Sequence, residues 1–67
     1  MKVRDVVRIL EREGWVSVRQ RGSHRQFRHP EHAGTVTVPG NPGSDLKPGT
    51  LASVWKQAGI TVGEERD

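Results

Sequence analysis

The 67-residue sequence contains no cysteine, so neither a disulfide nor a cysteine-ligated zinc site can hold it together, and the chain is compatible with a reducing compartment. No apolar run approaches the roughly 20 residues that span a bilayer, and the start Met1-Lys2-Val3-Arg4-Asp5 lacks the apolar segment of a secretory signal. The expectation is a soluble, cytoplasmic protein. There is no internal repeat and no domain boundary, which gives one small domain over residues 1–60 followed by a short flexible tail, 61–67. Walker spacing is also missing, so the glycines at 22 and from 40 to 49 read as turn residues and not as a phosphate cradle.

One more absence directs attention to a single stretch: no acidic residue lies between Glu13 and Glu31. Within that gap runs Arg19-Gln20-Arg21-Gly22-Ser23-His24-Arg25-Gln26-Phe27-Arg28, four arginines around a Gly-Ser turn and a histidine. The formal charge of +3 understates this basic character. Residues 1–60 hold ten basic and five acidic residues, or +5, whereas 61–67 hold Arg66 against Glu64, Glu65 and Asp67, or −2. A basic surface of this kind favours nucleic acid as partner, by an electrostatic argument that carries no sequence specificity.

Local patterns supply the elements. Val3, Val6, Val7 and Leu10 recur at helical spacing and Gly14 stops the run, which predicts a helix over residues 3–13. Arg4, Arg8 and Arg12 lie on another face of it beside Asp5 and Glu11, the arrangement of a solvated charged face. Alternation predicts strands at 15–20, 24–29 and 35–39. A second helix follows the turn-rich loop 40–45, with Pro48 at its first position or Thr50 as its N-cap. Leu51, Val54, Trp55 and Ala58 form its apolar stripe and Gly59 ends it. Thr61 and Glu64 could form a capping box, but too few residues follow to use it.

A two-residue Gly22-Ser23 turn, with Gly first as type II′ prefers, sets a register. Arg21 then faces His24, Arg19 faces Gln26, Val18 faces Phe27 and Ser17 faces Arg28. Val18 and Phe27 share an apolar face; Ser17, Arg19, Arg21, His24, Gln26 and Arg28 share the other, joined by Thr35 and Thr37. Arg25 falls on the Phe27 side and is expected to snorkel past the core edge. Keeping the apolar face continuous puts Phe27 opposite Val36 or Val38 and requires an even-numbered connection of about four residues. The fold class is therefore α+β in the order α-β-β-β-α, a three-stranded antiparallel sheet with both helices on its Val/Phe face. The other face is open and carries His24.

His24 admits two readings from its neighbours: a proton-transferring group among phosphate-binding arginines, or a strand histidine that only binds RNA or fills a turn. His29 falls on the Phe27 face and His32 in the following loop, and both are expected to be structural or solvated. The three histidines could suggest a metal, but strand alternation separates them and no carboxylate completes a ligand set, so zinc is rejected and no cofactor is expected. Trp15 and Trp55 sit at the edges of apolar stripes, and core packing is expected of both over base stacking.

The ordered pieces Leu10…Gly14-Trp15, Arg21-Gly22-Ser23-His24 with Phe27 and His29-Pro30, Gly34-Thr35-Val36-Thr37-Val38-Pro39, Asp45-Leu46-Lys47-Pro48-Gly49-Thr50-Leu51 and Lys56-Gln57-Ala58-Gly59-Ile60 resemble the HicA (YcfA-like) toxins of bacterial toxin–antitoxin pairs. The resemblance covers nearly all of residues 3–60, with Trp55 where an aliphatic residue is expected. It implies a double-stranded-RNA-binding-domain-like fold, a metal-independent ribonuclease that cleaves messenger RNA, His24 as its catalytic histidine, and a cognate HicB antitoxin. On that reading His24 removes the 2′-hydroxyl proton. Phosphate binding is expected of Arg19, Arg21, Ser23, Gln26 and Arg28, with Arg21 and Arg28 favoured by the register for holding the reacting phosphate. The rival readings are a non-catalytic RNA-binding module and, third, a small DNA-binding or regulatory protein.

Overall fold

A computed structural model describes residues 1–61. The tail expected from 61 onward, and Glu64 of the capping box, therefore lie outside the described residues apart from Thr61. The elements follow the order α1 (Val3–Arg12), β1 (Val16–Arg21), β2 (His24–Arg28), β3 (Val36–Val38) and α2 (Pro48–Ala58), with the strands arranged β1-β2-β3 in one antiparallel sheet. This is the expected α+β order.

Helix α1 buries Val3, Val6, Val7 and Leu10, its periodic stripe. No side chain caps its first turn. The backbone carbonyls of Ser44 and Pro42 accept from the N–H groups of Val3 and Arg4, at 2.8 and 3.0 Å, and so satisfy donors that a helix start leaves unpaired. The turn-rich loop is thus the cap of α1. In α2, Pro48 occupies the first turn with Lys47 as N-cap, which decides between the two expected starts. Gly59 closes it in the left-handed region at φ 70°, and the Ile60 N–H reaches the Trp55 carbonyl at 2.9 Å.

One hydrophobic cluster joins both helices to one side of the sheet. Val3, Val6, Val7 and Leu10 of α1, Trp15, Phe27, Val36, Val38, Leu46, and Val54 and Ala58 of α2 are all buried in it. Trp15 is buried as expected, and Trp55 is half-buried against the same cluster.

Strand β1 departs from the expected register. The pairs Arg21–His24, Gln20–Arg25 and Arg19–Gln26 form as the turn dictates, but an extra residue enters β1 between Ser17 and Arg19. Ser17, and not Val18, stands opposite Phe27, while Val16 stands opposite Arg28. Val18 is 55% exposed, so it does not join the Phe27 face, and Ser17 leaves the polar face to which alternation had assigned it. The physical reason is in the core: every residue of β1 is exposed, and Trp15, just before the strand, supplies the buried bulk at this end. With the apolar demand met there, nothing holds Val18 inward.

The second connection is also longer than expected. Phe27 pairs with Val36, as the even-parity argument requires, yet the chain between the strands runs through residues 29–35 and not through about four. His29 therefore lies outside β2 and Thr35 outside β3, which removes Thr35 from the polar face of the sheet. His29 is drawn away by specific partners: its Nε2 lies 2.9 Å from the Glu13 carbonyl oxygen, and the Glu31 backbone N–H donates to its Nδ1 at 2.9 Å. Because Nδ1 accepts, Nε2 carries the proton and donates to Glu13. The ring also meets Trp15 edge-on at 5.1 Å, and His32 stacks over Trp15 at 5.6 Å.

Candidate functional site

The tip of the β1–β2 hairpin is set by Gly22, whose φ of 57° an L side chain adopts only under strain. Among the described residues no non-glycine residue has a positive φ, so Ser23 does not, and the pair forms the type II′ geometry that a Gly-first turn favours. That turn fixes Arg21 and His24 as direct partners. Directly opposed residues of an antiparallel pair hold their Cβ atoms about 4.5–5.5 Å apart, so a guanidinium and an imidazole share one small area of the open face.

Phe27 keeps the face oriented. Its side chain is fully buried between the cross-strand positions of Ser17 and Val36, which locks β2 so that Gln26, two residues beyond His24, points to the opposite side. Gln26 is paired with Arg19 on one side and Thr37 on the other, in the middle of the face. Arg28 is exposed on the same face, beside Val16. It stands four positions along β2 from His24, about 13 Å at the rise of a strand, so Arg21 and not Arg28 is the arginine next to the histidine. Arg25 pairs with Gln20 and with the buried Val38 and is half-buried on the core side, as expected. Ser23 is exposed in the turn itself.

These cations are not neutralised locally. Among the described residues the ion pairs join Asp45 to the Met1 amino group and to Lys2, and Asp5 to Arg8, and none involves Arg19, Arg21 or Arg28. An uncompensated arginine fork offers its donors to an incoming phosphate. His24 is exposed, and among the described residues no cavity adjoins it. The site is a surface, which suits an extended anionic polymer better than a small molecule.

His29 and His32 stand apart from it, at the far end of β2 against Trp15. Both ring nitrogens of His29 are occupied by backbone partners, so it has no lone pair or proton to offer to chemistry. Neither histidine brings a second acid or base to His24. Two exposed apolar residues, Val16 at 57% and Val18 at 55% exposure, lie along β1 beside the arginines, and of these Val18 was expected on the Phe27 face. The bulge that exposes Val18 has no signature in the residue pattern.

The fold and this surface define a small α+β protein with an open, basic face on one side of its three-stranded sheet. The family described as the HicA toxin of bacterial toxin–antitoxin systems matches residues 3–60, and the chain belongs to that family. No curated protein matches the chain. Membership makes it the toxin half of a toxin–antitoxin pair, with an antitoxin as its partner. Among the described residues no helix is long and apolar enough to cross a membrane.

Proposed function

We propose that this toxin is a cytoplasmic, metal-independent endoribonuclease that cleaves messenger RNA, with His24 as its catalytic residue and Arg21 as the group that holds the reacting phosphate. The observation that carries the reading is the direct pairing of Arg21 with His24 on an open, uncompensated basic face. RNA holds its own nucleophile, so a base and a cation suffice to begin the reaction. His24 accepts the 2′-hydroxyl proton, the 2′-oxygen attacks the adjacent phosphorus, and the bond from phosphorus to the 5′-oxygen breaks. The products are a 2′,3′-cyclic phosphate and a 5′-hydroxyl, the latter taking its proton from water or back from His24. The Arg21 guanidinium offsets the charge that gathers on the phosphoryl oxygens.

A single positioned base contributes roughly 10²–10⁴-fold and one charge-stabilising donor about 10²–10³-fold, which describes a slow enzyme. Arg19, Gln26 and Arg28 lie along the same face, where they contact flanking phosphates of the strand, and Ser23 lies at its end. A HicB-like antitoxin stops the reaction by denying RNA this face.

A second reading, an RNA-binding module without catalysis, draws support from the openness of the site and from the lack of a second acid or base beside His24 among the described residues. Substrate chemistry separates the two. An RNA with a single 2′-deoxynucleotide at the cut site should bind unchanged and resist cleavage; cleavage of that position would contradict the proposed reaction.

A further inference from the structure

The sheet has two edges, and only one is closed. At β3 the Thr37 backbone N–H points away from the sheet and donates to Gln57 Oε1 of α2 at 3.3 Å, and Gln57 is itself steadied by Ser53. At β1 every residue is exposed, and among the described residues no element lies alongside. Hydrogen-bonded and non-bonded pairs alternate along an antiparallel ladder, and a two-residue hairpin begins with a bonded pair at Arg21–His24. The backbone N–H and C=O of Gln20 therefore face outward. The Gln20 side chain does not cover them, because its amide donates to the Gly22 carbonyl at 3.1 Å.

Charge decides what fits there. A second copy pairing antiparallel about Gln20 would set Arg19 against Arg21 and Arg21 against Arg19, like charges directly opposed. A strand with acidic residues two apart would instead meet both arginines, and apolar residues beyond them would meet Val16 and Val18, which are among the large apolar residues left exposed. RNA offers neither the main-chain alternation nor the apolar contact. We propose that the β1 edge is where the antitoxin docks, by adding an extended, acidic and apolar segment as a fourth strand of the sheet.

The docking rests on family membership and the geometry of β1. That it inhibits rests in addition on the RNA reading above, since the added carboxylates would draw Arg19 and Arg21 away from phosphate. A synthetic peptide with two glutamates two residues apart, followed by a run of valines, serves as the probe, with the same peptide carrying lysine in place of each glutamate as its control. The acidic peptide should slow hydrogen exchange at the Gln20 amide and concentrate its chemical-shift changes on residues 16–21, and the lysine peptide should do neither. Gln20→Pro removes the outward donor at an edge position that tolerates proline, and it should weaken peptide binding about tenfold, the loss expected of one main-chain hydrogen bond. Should that variant lose its fold, the double substitution Val16→Glu and Val18→Glu, which removes the apolar contact and sets like charge against the acidic peptide, should weaken binding at least as much. Equal binding by the variants, protection centred on another element, or protection of Gln20 by a short RNA in place of the peptide would overturn the proposal. RNA cleavage by the unliganded protein is untouched by any of these results and reports separately on His24.

Discussion

Arg21 and His24 stand directly opposite each other across the Gly22-Ser23 turn, the last pair of the β1–β2 ladder. Neither needs its neighbour for the fold, since both are exposed. Arg21→Ala should therefore lower single-turnover RNA cleavage about 10²-fold, the usual cost of one transition-state donor, while leaving the urea midpoint close to wild type. Arg25→Ala, on the core side of the same strand, should cut RNA at close to the wild-type rate. Equal losses from the two arginines would point to general electrostatics and not to a site.

His24 and His29 should sort cleanly in a stability measurement. His29→Ala removes the bonds to Glu13 and Glu31, and its cost should be about 2 kcal/mol at roughly one per hydrogen bond. His24→Ala touches nothing in the core and should stay within about 0.5 kcal/mol. Urea denaturation of the two variants checks this, and a destabilised His24→Ala would place that residue among the structural groups.

Two glycines with positive φ should differ in what they tolerate. A Cβ at Gly22 meets nothing within 4 Å, so Gly22→Ala carries only the backbone cost of about 1–2 kcal/mol. At Gly14, with φ 98°, a Cβ would sit 2.6 Å from His29 Nε2. Gly14→Ala should therefore cost more than Gly22→Ala, by at least about 1 kcal/mol. In a His29→Ala background the excess should vanish, which a double-mutant cycle reads directly.

Salt dependence tests the reach of the basic face. If Arg19 and Arg28 contact flanking phosphates, Arg19→Ala and Arg28→Ala should each weaken single-stranded RNA binding and lower the slope of log K against log salt by about 0.7. An unchanged slope for Arg28→Ala would confine the RNA contact to the hairpin tip.

Much of this fold is written in short-range signals. Valine and leucine spacing specifies α1, the position of Pro48 and Gly59 brackets α2, and the Gly-Ser turn fixes three successive cross-strand pairs. The register fails where the turn's influence ends. Alternation has no means of registering an inserted residue, and Val18 opposite Phe27 looks favourable because both are apolar; the bulge follows from Trp15 filling the core outside the strand, a tertiary fact. His29 is similar. Nothing in the strand pattern says that it will leave β2 for a backbone carbonyl of the α1 terminus, a contact open only because Gly14 has no side chain in the way. On the candidate site, the pairing of Arg21 with His24 was legible because it adjoins the turn, whereas the distance from Arg28 to His24 needed the strand itself.

The central claim is that His24 performs chemistry on RNA and does not merely hold it. A defined messenger RNA fragment, incubated with wild type and with His24→Ala in the presence of EDTA, tests it most directly when the new ends are mapped. The account predicts fragments ending in 2′,3′-cyclic phosphate from wild type, and no fragments from a variant that binds the RNA with similar affinity. Undiminished cutting by His24→Ala, or new ends carrying a free 3′-hydroxyl, would contradict it.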